Sequence, residues 1–259
     1  MMRIHKTSTL CALGLALGIL ILPAGNATAE DWKWAVAPYA WGSGTTVDIY
    51  ANGQEIGEGE LDFDDLLDKI DFSMQLHAEG RKDKFGLFFD LTYLDTGDKI
   101  DLPGAVFPEG ATLKTDVKTT MIELGGFYRP SADEFGFDVL FGARVVDLDV
   151  DLELSAPDLG TESASSSDTI TDGFLGLRYS TALADRWFMV LRGDAGTGDT
   201  DFSYNLAANF GYRFGETKRH AFVFGYRHFV MEFEDTVDGI DWELDMTMSG
   251  PQIGLLFTF

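Results

Sequence analysis

The residues with the most chemistry in this sequence are arginines. Arg81, Arg144, Arg178, Arg192, Arg213 and Arg227 fall in the middle of alternating segments, with Arg129 near a turn, and Glu79, Asp90, Glu123, Asp138 and Asp194 are interleaved on the same sides. A guanidinium is planar, weakly hydrated and able to grip a carboxylate through two parallel hydrogen bonds, so it suits enclosed ion pairs. Lysine is nearly absent from these positions, and Lys33 and Lys118 sit toward segment ends. A water-facing surface mixes lysine freely, so the set reads as the lining of an enclosed polar interior. Such a lining would select solutes in a narrow pore, or it would act as a polar core that holds the structure rigid.

Other chemistry is weaker. After residue 29 the histidines are His77, His220 and His228. His228 has Glu232 and Asp235 close in sequence, a set of the kind that activates water, but no Ser/His or Asp/His spacing points to a nucleophile. The expectation is therefore a protein that is not an enzyme. The glycines of "GDAGTGD" follow a strand and open no helix, which fits a tight β-turn and not a phosphate cradle. No twelve-residue calcium loop is present, and neither metal nor cofactor is expected.

The elements that must position the arginines are strands. In "FGLFFDLTY", Phe85, Leu87, Phe89, Leu91 and Tyr93 alternate with Gly86, Phe88, Asp90 and Thr92. In "FSYNLAANFGYRF", Phe202 to Phe214 share a face at every second residue. Period-2 runs of this length predict extended strands. Ten are expected, at 32–47, 70–82, 85–97, 113–129, 135–152, 169–183, 186–197, 200–214, 219–235 and 243–259, with eight or twelve as alternative counts. "RKDKF", "RPSADEF", "ALADRW" and "GETKRH" are short turns. Three of the alternate connections (48–69, 98–112 and 153–168) are long, the last with the polar tip "TESASSSDT". In "FDDLLDKI", Phe63, Leu66, Leu67 and Ile70 have helical spacing, which predicts a short amphipathic helix at one rim.

Short turns alternating with longer loops, on an even number of strands, are the habit of a closed antiparallel transmembrane β-barrel. The alternation alone would also suit a soluble β-sandwich; the arginine-rich polar face and the ends of the sequence favour the barrel. Residues 1–29 read as a secretory signal peptide, with Arg3, His5 and Lys6 before an apolar run at 10–22 and an Ala27-Thr28-Ala29 cleavage site. That leaves one domain at 30–259. The only cysteine, Cys11, lies in the signal, so the mature chain has no thiol chemistry. Removing Arg3 and Lys6 leaves 17 basic against 43 acidic residues, a formal charge of −26. Nucleic acid is a poor partner for such a chain. Outer-membrane lipid and lipopolysaccharide are the expected surroundings. Divalent cations could bridge the acids of 48–69 and "DLDVDLEL" to lipopolysaccharide phosphates, although a solvated acidic surface is the simpler reading.

Two resemblances add to this. The ending "IGLLFTF", with Leu255, Phe257 and Phe259 on one side, resembles the C-terminal signal of bacterial outer-membrane proteins, which implies recognition by the barrel-assembly machinery. "WKWAVAPYAWGSG" followed by residues 62–97 resembles the N-terminal signature of a group of porin-like proteobacterial outer-membrane β-barrel proteins. The matching residues are Pro38, Tyr39 and Trp41, then Asp65, Leu66 and Leu67, then Glu79, Arg81, Asp90 and Tyr93. The resemblance implies a cell outer membrane location and a barrel, and it supplies no substrate. Interiors of barrels near eight strands are just filled by side chains, whereas wide aqueous channels need sixteen or more. The sequence therefore predicts a narrow Arg/carboxylate-lined lumen that passes small solutes, or, alternatively, a plugged barrel with a structural or surface-interaction role.

Overall fold

Alternation of apolar and polar residues dictates a sheet with two unlike faces, and the computed structural model closes that sheet on itself. It describes residues 32–61, 70–101, 110–131, 133–157, 160–237 and 239–259. The expected signal peptide and all but the last residue of the expected rim helix lie outside them. The strands are β1 (Lys33–Trp41), β2 (Gly44–Ala51), β3 (Gln54–Leu61), β4 (Ile70–Lys82), β5 (Phe85–Asp101), β6 (Thr112–Tyr128), β7 (Gly136–Ala156), β8 (Gly160–Ala182), β9 (Trp187–Gly198), β10 (Phe202–Phe214), β11 (His220–Val237) and β12 (Ile240–Thr258).

Neighbours pair antiparallel in the order β1-β4-β5-β6-β7-β8-β9-β10-β11-β12, and β12 returns to β1 from Ala35↔Thr258 to Trp41↔Gln252. Ten strands thus form the closed cylinder, a solution that leaves no unpaired edge in a solvent that offers no hydrogen bonds. The closing seam runs on through Phe259 N to Trp34 O (2.9 Å) and Gly42 N to Pro251 O (2.9 Å).

The remaining two strands correct the expected loop map. The segment 32–47 is interrupted at Gly42 and Ser43. Beyond the break β2 follows the outer half of β12, and β3 folds back on β2, so much of the predicted 48–69 loop is a β-hairpin. Its turn is Asn52-Gly53, both at positive φ (50° and 72°), the pairing that two-residue hairpin turns of the primed type demand. The long connections 98–112 and 153–168 also shrink. β5 and β6 pair out to Asp101↔Thr112, and β7 and β8 to Ala156↔Gly160. The serines of "TESASSSDT" sit opposite acids and a valine of β7, for example Ser165↔Asp151 and Ser166↔Val150. Extended backbone here is held by ladder bonds, and a polar sequence suffices because these hairpin ends have no core to bury.

The two faces separate cleanly. Arg144, Glu123 and Asp138 are at most 1% exposed, whereas Leu175 (69%), Leu124 (64%) and Phe85 (63%) stand open on the exterior. On β7 the exterior reads Phe137, Val139, Phe141, Ala143, Val145 and then Asp147, so hydrocarbon gives way to carboxylate after nine residues. That matches the length of strand needed to cross a bilayer core. The same change occurs between Tyr93 and Asp95 on β5, and between Val230 and Glu232 on β11. The apolar belt encircles the short-turn half of the barrel, and the hairpins project beyond it.

Leu124→Arg tests the orientation. On a water-facing strand the change is near neutral, but in a bilayer it should cost about 2–4 kcal/mol of folding stability, measured by denaturant titration in lipid vesicles.

Candidate functional site

Inside the barrel one carboxylate gathers three arginines. Glu123 on β6 is 0% exposed. Arg144 Nε donates to its Oε1 at 2.9 Å from the adjacent β7, and Arg227 Nη2 donates to the same oxygen at 3.0 Å from β11, five strands away around the ring. Arg192 Nη2 of β9 lies 2.8 Å from Oε2, an ion pair without hydrogen-bond alignment. Asp194 completes the centre: its Oδ1 accepts from Arg144 at 2.6 Å, and its Oδ2 from Arg192 at 2.7 Å and Asn205 at 2.9 Å. Asn205 in turn accepts from Arg227 Nε at 2.8 Å.

A second group lies nearer the short turns. Asp138 takes Arg129 with both oxygens (2.5 and 2.8 Å) and Arg178 Nε at 2.7 Å. Arg178 Nη1 reaches across the lumen to Glu79 at 2.5 Å. Asp90 holds His77 Nδ1 at 3.0 Å and accepts from Tyr39 Oη at 2.7 Å. At the mouth Arg213 pairs with Glu134. Among the described residues Arg81 has no such partner and donates to a backbone carbonyl, that of Asp133. The residues read from the sequence as lumen-lining therefore separate into a central lattice (Glu123, Arg144, Arg192, Asp194, Arg227) with Asp90 at its edge, 3.9 Å from Arg227, an inner group (Glu79, Asp138, Arg178) and a mouth (Arg81, Arg213).

Aromatic rings hold the guanidinium planes. Arg144 lies between Phe174 (5.1 Å) and Phe229 (4.6 Å), Arg178 over Phe127 (4.6 Å) and Arg227 over Trp41 (4.7 Å). In a desolvated site each such contact contributes about 2 kcal/mol. Inward glycines make room for the rings: a Cβ at Gly142 would stand 2.7 Å from the ring of Phe174. Toward the hairpins the lattice is capped by a dry cluster of Trp41, Met121, Val146, Phe229, Met231 and Met248, each at most 4% exposed. Toward the short turns a cavity of about 590 Å³ opens. At mid-lumen Glu123, Arg144 and Asn205 are at most 1% exposed.

Of the inward rings only Trp41 was singled out in the sequence, as part of the resemblance; Phe127, Phe174 and Phe229 were not. Phe88 was visible as an aromatic on the otherwise polar side of its strand, and it packs in a buried cluster with Phe127, Leu140 and Phe174. His228 faces the exterior, bonded to Tyr204 Oη (3.2 Å) and Ser249 Oγ (2.5 Å). The turn after "GDAGTG" is fastened by Asp172, which accepts from Thr200 and Ser203 (2.7 and 2.6 Å). Leu255 and Phe257 share the exterior face of β12 with Ile253, and Phe259 is 73% exposed at its end.

Beyond the belt the exterior carries carboxylates in rows. Glu232, Asp245, Asp48 and Glu58 are directly opposite one another across β11, β12, β2 and β3. Partial burial, then Glu232, Asp48 and Glu234, raise the affinity of Asp245 for a proton. Among the described residues no group of three or more such side chains is arranged to hold a metal ion.

No family model matches the sequence, and no curated protein matches it. Solved structures do match in shape. The outer-membrane protease OmpT from Escherichia coli aligns over 89% of this chain and 98% of its own, with a TM-score of 0.51 at 11% identity. Ail, the attachment invasion locus protein of Yersinia pestis, aligns over 86% and 98% (TM-score 0.32, 10% identity). The Pseudomonas putida toluene transporter TodX aligns over 88% and 90% (TM-score 0.31, 11% identity). The likeness to OmpT is one of fold: the chain has the architecture of bacterial outer-membrane β-barrel proteins.

Glu123→Gln leaves three guanidinium groups short of a buried countercharge and should destabilise the barrel by about 3–5 kcal/mol, read by the same denaturant titration. For Asp245 the folded affinity for protons exceeds the unfolded one, so repulsion is present at neutral pH and is relieved as pH falls through the folded value. Amide exchange of the 44–61 hairpin should slow between about pH 7 and about pH 4, and Asp245→Asn should flatten that dependence.

Proposed function

We propose that this protein is an outer-membrane barrel closed across its lumen, which anchors a rim of acidic hairpins at the cell surface. The observation that carries this reading is Glu123, fully buried and bound by arginines from three other strands. A solute could pass only by stripping buried charges of their partners, and each such rupture is costly in a low-dielectric interior. The apolar belt, the short turns at one end and the long hairpins at the other support placing the barrel in the outer membrane with the hairpins outward. In that placement the carboxylate rows stand at the height of the lipopolysaccharide headgroups, where divalent cations can bridge them to phosphates. The exposed edge of Leu255, Phe257 and Phe259 is what the assembly machinery would read.

The reading is non-enzymatic. Imidazole is the natural general base at neutral pH, but His228 is committed to a tyrosine and a serine on the exterior. His77 is held by Asp90, with Glu79 at 3.9 Å. A second reading, passive passage of small solutes, is favoured by the cavity that penetrates from the short-turn end; it requires the lattice to open.

Planar-bilayer recording separates the two. The closed reading predicts no conductance steps for the wild type and reproducible steps for Arg144→Ala or Arg192→Ala, which remove a crosslink and half of an Arg–aromatic stack. Steps from the wild type that are unchanged in either variant overturn it.

A further inference from the structure

Arg81 is an anomaly in this interior. It is 7% exposed, yet among the described residues no carboxylate lies within ion-pairing distance. Its Nη1 donates to Asp133 O at 2.8 Å, and Arg129 Nη1 points at the same carbonyl at 3.3 Å, so two guanidinium groups converge there. Asp138 neutralises Arg129; among the described residues no carboxylate does the same for Arg81. Buried arginines are ordinarily paired. Lys33 and Arg219, which line the same cavity, also have no carboxylate partner among the described residues. Among the described residues, Arg81, Lys33 and Arg219 thus stand together at one mouth without a carboxylate partner. The other cations lining the cavity are spoken for: Arg178, Arg192, Arg213, Lys218 and Arg227 all have ion-pair partners.

The wall that continues from Arg81's strand through its neighbour β1 has a different character. Ala35 and Ala37 of β1, Leu256 of β12, Ala221 and Val223 of β11 and Ala207 of β10 line it. Small inward side chains on four adjoining strands are what open the 590 Å³ of space, in the size range of small-molecule sites. The floor is fixed by His77, Asp90 and Tyr39, so a molecule entering from the short-turn mouth stops there.

We propose that this cavity binds a small organic anion. A carboxylate or phosphate group completes Arg81, Lys33 and Arg219 stand at the rim to draw it in, and a compact apolar body lies against the alanine and valine wall. The site is served from the short-turn side, and it stands whether or not the lumen beyond it conducts.

The test is titration calorimetry on the full barrel in phosphatidylcholine nanodiscs with three probes: phenyl phosphate, inorganic phosphate and benzyl alcohol. Phenyl phosphate should bind saturably, inorganic phosphate roughly tenfold or more weakly, and benzyl alcohol not at all. Arg81→Gln should weaken phenyl phosphate by roughly tenfold or more, with Arg81→Lys recovering part of the loss. Ala207→Phe, which fills the far wall and leaves every charge in place, should also abolish binding, with unchanged circular dichroism as the control for folding. Absence of saturable binding to the wild type overturns the proposal. So does phenyl phosphate affinity that is the same in the wild type, Arg81→Gln and Ala207→Phe. Benzyl alcohol or inorganic phosphate binding as tightly as phenyl phosphate overturns the paired head-and-body recognition.

Discussion

A carboxylate buried out of reach of water must be neutralised where it stands, and Glu123 imposes that requirement on the whole barrel. Its three arginines come from β7, β9 and β11, so satisfying one side chain ties together strands from opposite sides of the ring. Those arginines then need their own remaining donors met, which brings in Asp194 and Asn205. Their flat faces need covering, which brings in Phe174, Phe229, Phe88 and Trp41. Rings of that size fit only where facing residues are small, hence glycine at Gly125 and Gly142. Glu123 Oε2, Arg144 Nη1 and Arg192 Nη2 are buried without a hydrogen bond and are held by charge alone, so these positions depend on one another.

Charge is sorted along the barrel axis. The short-turn mouth carries the leftover cations Lys33, Arg81 and Arg219, while the opposite end displays paired rows of Asp and Glu across four strands. Between them the lattice is close to neutral within itself. An anion arriving at one end and a divalent cation at the other thus meet surfaces of opposite sign, separated by a dry layer of Met121, Val146, Phe229 and Met248. The hairpins pay for their acidity in cross-strand repulsion, with Asp245 between Glu232 and Asp48 as the clearest case.

Much of this was legible in the sequence because a strand has period two. Alternation in "FGLFFDLTY" divides β5 into two unlike faces, and the choice of Arg over Lys at mid-strand marks the polar face as enclosed. The segment 48–69 read as a long acidic loop, and the Asn52-Gly53 turn was not picked out; ladder bonds to β12, which no local pattern encodes, hold the β2–β3 hairpin extended. The serine tract at 163–167 misled for the same reason. Three-dimensional facts stayed hidden. Nothing in the spacing tells that Arg129 finds Asp138 while Arg81, with the same parity and chemistry, finds only a carbonyl. Nor does it tell that the alanines of β1, β10 and β11 would adjoin and leave a cavity.

The central claim, a lumen sealed at the Glu123 lattice and open only below it, is tested most directly by thiol accessibility, because the sequence after residue 29 contains no cysteine. Single substitutions Ala207→Cys in the cavity, and Met121→Cys or Val146→Cys above the lattice, would be exposed to a small charged methanethiosulfonate reagent in the folded barrel. The account predicts rapid modification at 207 and protection at 121 and 146 until the protein is unfolded. Modification at 121 or 146 as fast as at 207 would contradict it.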